Sequence, residues 1–228
     1  MSLSNDKRDA LLRTLVGKTP AYSVPNDWYL ALLTSSPGNS GSTATEVNGA
    51  GYSRKKLADA LGNSLPEGLT DISPGTALTQ SDTDIEFGPA TANWPLPVTH
   101  IGIYDHATSL DPVNFVAGMP LMSSPVLCVF DANSNFVYAA ANHTFVLDTP
   151  LRVYGRAYPS GISPNTIYYC HAPNAGAFQI KSVSGGATPL SLGSQGIAWV
   201  GRDRSQTISN GSSFRISAGA IRIMMAGV

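Results

Sequence analysis

Apolar and polar positions along the chain fall into three patterns. The first is helical. Leu11, Leu12, Leu15 and Val16 form one stripe at helical spacing. Ser4 is a suitable N-cap, Asp6 favours the positive end, and Gly17 and Pro20 stop the helix. So short a helix is marginal in water and must dock, on its own subunit or on a neighbouring one. The second pattern is the continuous apolar run at residues 28–33, which fits a strand buried on both faces.

The third pattern is alternation. Ile85 and Phe87 oppose the flanking carboxylates, and Ile101 and Ile103 alternate with His100, Gly102 and Tyr104 in a strand that ends near Asp105. Phe214 and Ile216, then Ile221 and Ile223, repeat it near the C-terminus, with Ala218-Gly219 as a bend or bulge. Between these outer segments, from about Ser124, the text changes. Val126 to Phe130 and Phe136 to Ala139 flank a turn at Asp131 to Asn135. Short strands are then expected at His143–Leu147, Leu151–Tyr154, Ile167–Cys170, Phe178–Val183 and Ile197–Val200. Their spacing suits a small barrel or sandwich.

The fold class expected is therefore all-β: a β-sandwich or jelly-roll-like base with a short N-terminal helix, carrying an inserted small β-barrel-like domain. The base takes residues 1–123 plus 206–228, and the insert takes residues 124–205.

Composition narrows the function. A chain of 228 residues can hold one large or two small cores. Charged residues are 13% and the net charge is −1, so there is no basic field to hold nucleic acid. No apolar stretch approaches the roughly 18–20 residues that a membrane-spanning helix requires, and the segment from Met1 to Arg8 lacks the pattern of a signal peptide. Cys128 and Cys170 could form one disulfide, but two buried thiols of a protein made in a reducing compartment are the favoured reading.

Candidate chemistry is sparse. Gly38-Asn39-Ser40-Gly41 resembles a serine nucleophile setting, but it precedes every histidine and sits in a serine- and glycine-rich loop. Asp82, Asp84 and Glu86 put three carboxylates at alternate positions, a possible Ca²⁺ face, without the glycine and terminal glutamate of an EF-hand. His100, His106, His143 and His171 are dispersed, and Cys170-His171 is an isolated pair with no metal-ligand spacing. Lys55-Lys56 reads as a solvated pair. Ser184-Gly185-Gly186 lies between strands rather than before a helix, which argues against a phosphate cradle. Trp28, Trp94 and Trp199 with nine tyrosines could line a sugar groove, although such aromatics more often serve cores or subunit interfaces. The expectation is no catalytic residue, no cofactor and no metal site.

The outer segments resemble a family of short bacteriophage virion proteins, variously labelled tail-fibre, minor structural or capsid-decoration proteins. The matching pieces occur in a fixed order. Ala10-Leu11-Leu12 comes first, then Trp28 to Pro37, Thr45 to Arg54 and Phe87-Gly88-Pro89-Ala90. Trp94 follows with Val98 to Asp105, Ala117 to Leu121 and finally Asn210 to Ile221. Residues from about 124 to 205 interrupt that order and are similar to a small β-module of other phage virion proteins, through Tyr158 to Tyr169 and Ala177 to Ile180.

The resemblance implies a non-enzymatic structural protein of a tailed phage virion, made in the bacterial host cytoplasm. Capsid decoration or cement is the favoured position. The expected partners are the major capsid protein and further copies of the chain, most simply a trimer, with other virion or tail proteins as further candidates. Nucleic acid and membrane are not expected. The alternative is a tail-fibre or tail-tip component that binds a host glycan. A reading from another class is an enzyme acting on cell-surface polysaccharide.

Overall fold

The computed structural model describes residues 2–17, 27–57, 69–73, 78–81, 84–155, 158–217, 220 and 222–224. They are mostly strands, with one short α-helix, so the chain is all-β. It divides into two compact units, residues 1–119 with 206–228 and residues 120–205.

In the first unit the strands are β1 (Ser2–Leu3), β2 (Tyr29–Leu33), β3 (Lys55–Lys56), β4 (Leu69–Ser73), β5 (Leu78–Ser81), β6 (Ile85–Phe87), β7 (His100–Tyr104) and β8 (Phe115–Pro120). The second unit holds β9 (Met122–Asp131), β10 (Phe136–Ala139), β11 (Pro150–Tyr154), β12 (Tyr168–His171), β13 (Ala177–Lys181) and β14 (Gly196–Asp203). The chain then completes the first unit with β15 (Phe214–Ile216) and β16 (Arg222–Met224).

The helix α1 (Asn5–Leu15) starts where the sequence places it, with the Ser4 side chain accepting from the backbone N–H of Lys7 at 3.3 Å. Gly17 adopts φ +69°, the left-handed conformation that closes a helix at little steric cost. Pro20 lies outside the described residues.

The largest sheet of the first unit has the order β1-β8-β7-β2-β3. At its centre β2 and β7 pair antiparallel from Tyr29↔Tyr104 to Leu33↔His100. Leu30 to Leu33 are fully buried and all five residues of β7 are buried, so the unalternating run is a strand covered on both faces. In β6, Ile85 and Phe87 are buried while Glu86 is exposed, the alternation expected of a half-covered strand.

The segment after the second unit closes the first. β15 pairs with β6 through Phe214↔Phe87 and Ile216↔Ile85. Val98 bridges Gln206, the Trp94 N–H donates to the Ile208 carbonyl, and the Gly211 N–H donates to that of Ala90. Aromatic rings lock the join: Tyr52 stacks on Phe87 at 6.0 Å, and Phe214 meets Phe87 edge-on at 6.3 Å. The Ala218-Gly219 bend lies outside the described residues.

The second unit is a closed six-stranded barrel in the order β10-β13-β12-β11-β14-β9. Closure leaves no free sheet edge. Its core is filled by Cys128, Phe130, Val137, Leu151, Val153, Phe178, Ile180 and Val200, among others. Burying each large apolar side chain contributes about 1.5–3 kcal/mol. The Asp131–Asn135 turn forms as read, with Asp131 Oδ1 accepting from the Asn133 N–H and Asn135 at φ +58°.

Two sequence expectations change here. His143–Leu147 is not a strand but an irregular loop, which turns through the Thr149 N–H to Val146 carbonyl bond and Asp148 at φ +63°. Its apolar alternation arises because Phe145 drops into the core while Val146 and Leu147 stay exposed. β9 also starts earlier than the Val126 read from the sequence, running back through Ser124 and Ser123 to Met122.

Candidate functional site

The residues singled out for chemistry are mostly spent on architecture. Ser40 sits in a turn, its hydroxyl 2.9 Å from that of Ser42, a group that cannot serve as a general base. The glycines around it have steric reasons. Gly41 adopts φ +80°, and a Cβ there would lie 2.5 Å from Cβ of Phe115.

Of the carboxylate series, Asp82 lies outside the described residues. Asp84 pairs with Arg215 of β15, the residue directly opposite Glu86. The carboxylate face therefore meets a cation from the returning strand. Among the described residues no group of three or more His, Cys, Asp or Glu is placed to hold a metal ion.

The histidines are separated by role. His100 is buried in β7 with its Nδ1 2.8 Å from the Thr99 hydroxyl. His106 Nδ1 accepts from the backbone N–H groups of Thr108 and Ser109 at 3.2 and 2.9 Å. His143 stacks on Phe145 and abuts Phe178, both at 4.9 Å, and burial lowers its pKa. His171 lies opposite Gln179 in the barrel wall. Cys128 and Cys170 are free and buried.

Ser184-Gly185-Gly186 forms the turn that follows β13. The Gly185 N–H donates to Asp148 Oδ1 at 2.8 Å, and Lys181 Nζ donates to both Asp148 and the Gly186 carbonyl. Lys181 is the first cause of a lowered Asp148 pKa, with the Gly185 N–H second. The polar groups of this turn satisfy one another rather than waiting for a phosphate.

Two arginine networks carry the strongest electrostatics. In the first unit Arg54 grips Glu46 with two bonds of 2.9 and 2.8 Å. Its Nη1 donates to the carbonyls of His106 and Ser109, and its guanidinium lies 4.2 Å from the centre of the Tyr104 ring. Tyr52 donates to Glu46 at 2.6 Å and accepts from the Leu32 N–H at 3.0 Å. Burial, then the Glu46 charge, pushes the Tyr52 phenol well above its ordinary range. Burial also raises Tyr104 to about 12, against the lowering effect of Arg54.

This network stitches the residue 46–54 loop to the central strands and to the loop after β7. Beside it lies an open depression of about 500 Å³, lined by Tyr29, Ser53, Lys55, Lys56, Asp84 and Glu86 among others. Its charges are mixed, and Lys56 is already paired with Asp27 at 2.9 Å.

In the barrel, Arg152 is 3% exposed and its Nε bonds Asp203 Oδ1 at 2.7 Å. Nη2 reaches the Ser205 hydroxyl at 2.9 Å, which in turn donates to Asp203 at 2.7 Å. No sequence signal marked this cluster, because its members are spread over three segments. Trp94 and Trp199 have different settings. Trp94 is buried in the first unit, where its indole N–H donates to the Ala50 carbonyl at 3.2 Å, whereas Trp199 stands half-exposed on the barrel.

The arginines and lysines described above are held in intrachain networks on two β-built units. Residues 2–126 match the family model described as Podophage GP4 fiber I protein gp80, and the chain belongs to that family. It is a structural protein of a phage virion. No curated protein matches the sequence. The match ends within β9, so most of the barrel lies beyond it. No helix among the described residues is long and apolar enough to cross a membrane.

Proposed function

We propose that this chain is a non-enzymatic component of a phage fibre, attached to the particle through its first unit and presenting the barrel. One observation carries the reading: the matched residues 2–126 contain most of the first unit, and the family's description names a fibre protein. What a family shares is the property its members need in common, here assembly into the virion. The barrel, almost entirely beyond that match, is the part free to differ.

The family's description favours the fibre reading over capsid decoration, in which the major capsid protein would be the partner. The chain assembles with copies of itself, since a closed symmetric homo-oligomer is the usual state of a repeated structural part. Immunogold labelling of intact particles tests the position. Label at the tail supports the fibre assignment. Label distributed over the head would overturn it in favour of decoration.

A further inference from the structure

A closed barrel in water is expected to be apolar inside and polar outside. Here one part of the outer wall departs from that rule. Tyr138 of β10, Val129 of β9 and Ile197 of β14 stand side by side in register, and Leu127 of β9, Trp199 of β14 and Tyr154 of β11 form the adjacent row. Val129 is 48% exposed, Tyr138 46%, Ile197 61% and Trp199 39%. The alternate residues on the same strands, Cys128, Phe130, Val137, Ala198 and Val200, fill the core. Thus Leu127 to Phe130 of β9 and Ile197 to Val200 of β14 are apolar on both faces, the composition of strands covered on both sides, although the barrel itself covers only one.

We infer that this outer face of the barrel is the surface through which copies of the chain associate. The inference rests on the proposed homo-oligomer and names the face that forms it. Three physical points select a second copy as occupant. The exposed parts of Leu127, Val129, Tyr138, Ile197 and Trp199 expose roughly 500 Å², at the upper end of what a monomer leaves uncovered and most of the ~800 Å² that each side of a stable interface contributes. None of the six residues is charged, so the face meets its own copy without like-charge repulsion. With no free edge, the barrel cannot pair by strand addition, which leaves packing face against face.

A sugar platform would also use Trp199 and Tyr138. It would need several hydrogen-bonding groups beside the rings, whereas Leu127 beside Trp199, Val129 beside Tyr138 and Ile197 beyond Val129 are aliphatic, and only Tyr154 on the other side of Trp199 adds a polar group. The large aromatics instead fit the anchor role of a protein interface.

The test is sedimentation equilibrium of the full chain against Ile197→Lys, Trp199→Ser and an off-face control, Val183→Lys. Val183 is 64% exposed in the turn after β13. The wild type should self-associate, and Ile197→Lys should weaken association at least about a hundredfold, because a charge would be buried in an apolar contact. Trp199→Ser should weaken it by roughly tenfold or more, as loss of an aromatic anchor does, and Val183→Lys should leave it unchanged. Hydrogen exchange in β9 and β14 of the dissociated variants should remain protected, which separates lost contact from lost fold. A wild type that stays monomeric would overturn both the oligomer reading and this face. Association undisturbed by Ile197→Lys would overturn the face alone. So would loss of polysaccharide binding in Trp199→Ser with assembly intact, which would make the face a sugar platform.

Discussion

Removing one member of the Arg152–Asp203 pair tests how the barrel wall is held. Asp203→Ala takes away the carboxylate that accepts from Arg152 Nε at 2.7 Å and from the Ser205 hydroxyl at 2.7 Å. The guanidinium stays in place, since its side chain is 3% exposed and cannot reach water without moving β11. It keeps two neutral acceptors, the Asn165 carbonyl at 3.2 Å and the Ser205 hydroxyl at 2.9 Å. An uncompensated buried charge costs about 3–5 kcal/mol, and the remaining acceptors place this variant near the low end, about 3 kcal/mol. The double variant Arg152→Met, Asp203→Ala removes the stranded charge and should recover to within about 1 kcal/mol of the wild type.

The chain has two units, so one melting temperature does not report on the barrel alone. Hydrogen exchange followed on peptides from β11 and β14 does. At about 1.4 kcal/mol per tenfold, Asp203→Ala should accelerate the slowest amides there by about two orders of magnitude. Protection in β2 and β7 should not change. Equal acceleration in the single and double variants would refute the stranded-charge argument, because the loss would then come from the missing contacts and not from the charge.

Two further outcomes follow from burial. Gly41→Ala should destabilise the first unit by about 2 kcal/mol or more, since it combines a positive φ with a Cβ driven onto the Phe115 ring; loss of hydrogen-exchange protection in β8 reads it, and unchanged protection would count against the packing account. Burial raises the thiol of Cys128 to about 12 and that of Cys170 to about 11, while an unfolded thiol titrates near 8.5. Between those values the unfolded chain loses protons that the folded chain keeps, so stability should be full below about pH 8.5 and fall as pH rises, by about 1–2 kcal/mol per thiol at pH 10. Urea unfolding from pH 8 to 10 measures this, and an identical slope in the Cys128→Ala, Cys170→Ala variant would rule it out.

How far the fold could be read from the chain depended on whether the information was local. The helix was legible because Ser4 and Gly17 each act within a turn or two of themselves, although Leu12 and Val16 of its apolar stripe stay exposed rather than docked. The Asp131–Asn135 hairpin was legible for the same reason. The pairing of β15 with β6 was not legible, since residues so far apart carry no register signal; the shared order of family-like segments only grouped both chain ends in one base. His143–Leu147 misled because one inward phenylalanine between exposed residues imitates a strand's alternation. Arg152 was missed because its partners Asn165, Asp203 and Ser205 converge only when the barrel closes.

The apolar runs at β2, β9 and β14 show what a pattern cannot decide by itself. In β2 the run Leu30-Ala31-Leu32-Leu33 is buried within the first unit, with every residue fully covered. In β9 and β14 the runs Val126 to Phe130 and Ile197 to Val200 look the same as text, yet Leu127, Val129, Ile197 and Trp199 remain exposed. Transfer of apolar surface out of water is favourable whichever chain supplies the cover. A run apolar at both parities therefore states how many faces are to be buried, while the identity of the covering surface is set by topology. The barrel has used its interior to cover one face. On β9 and β14 the remaining cost falls on these few side chains, and that is where Ile197→Lys is expected to act on assembly while leaving the barrel core intact.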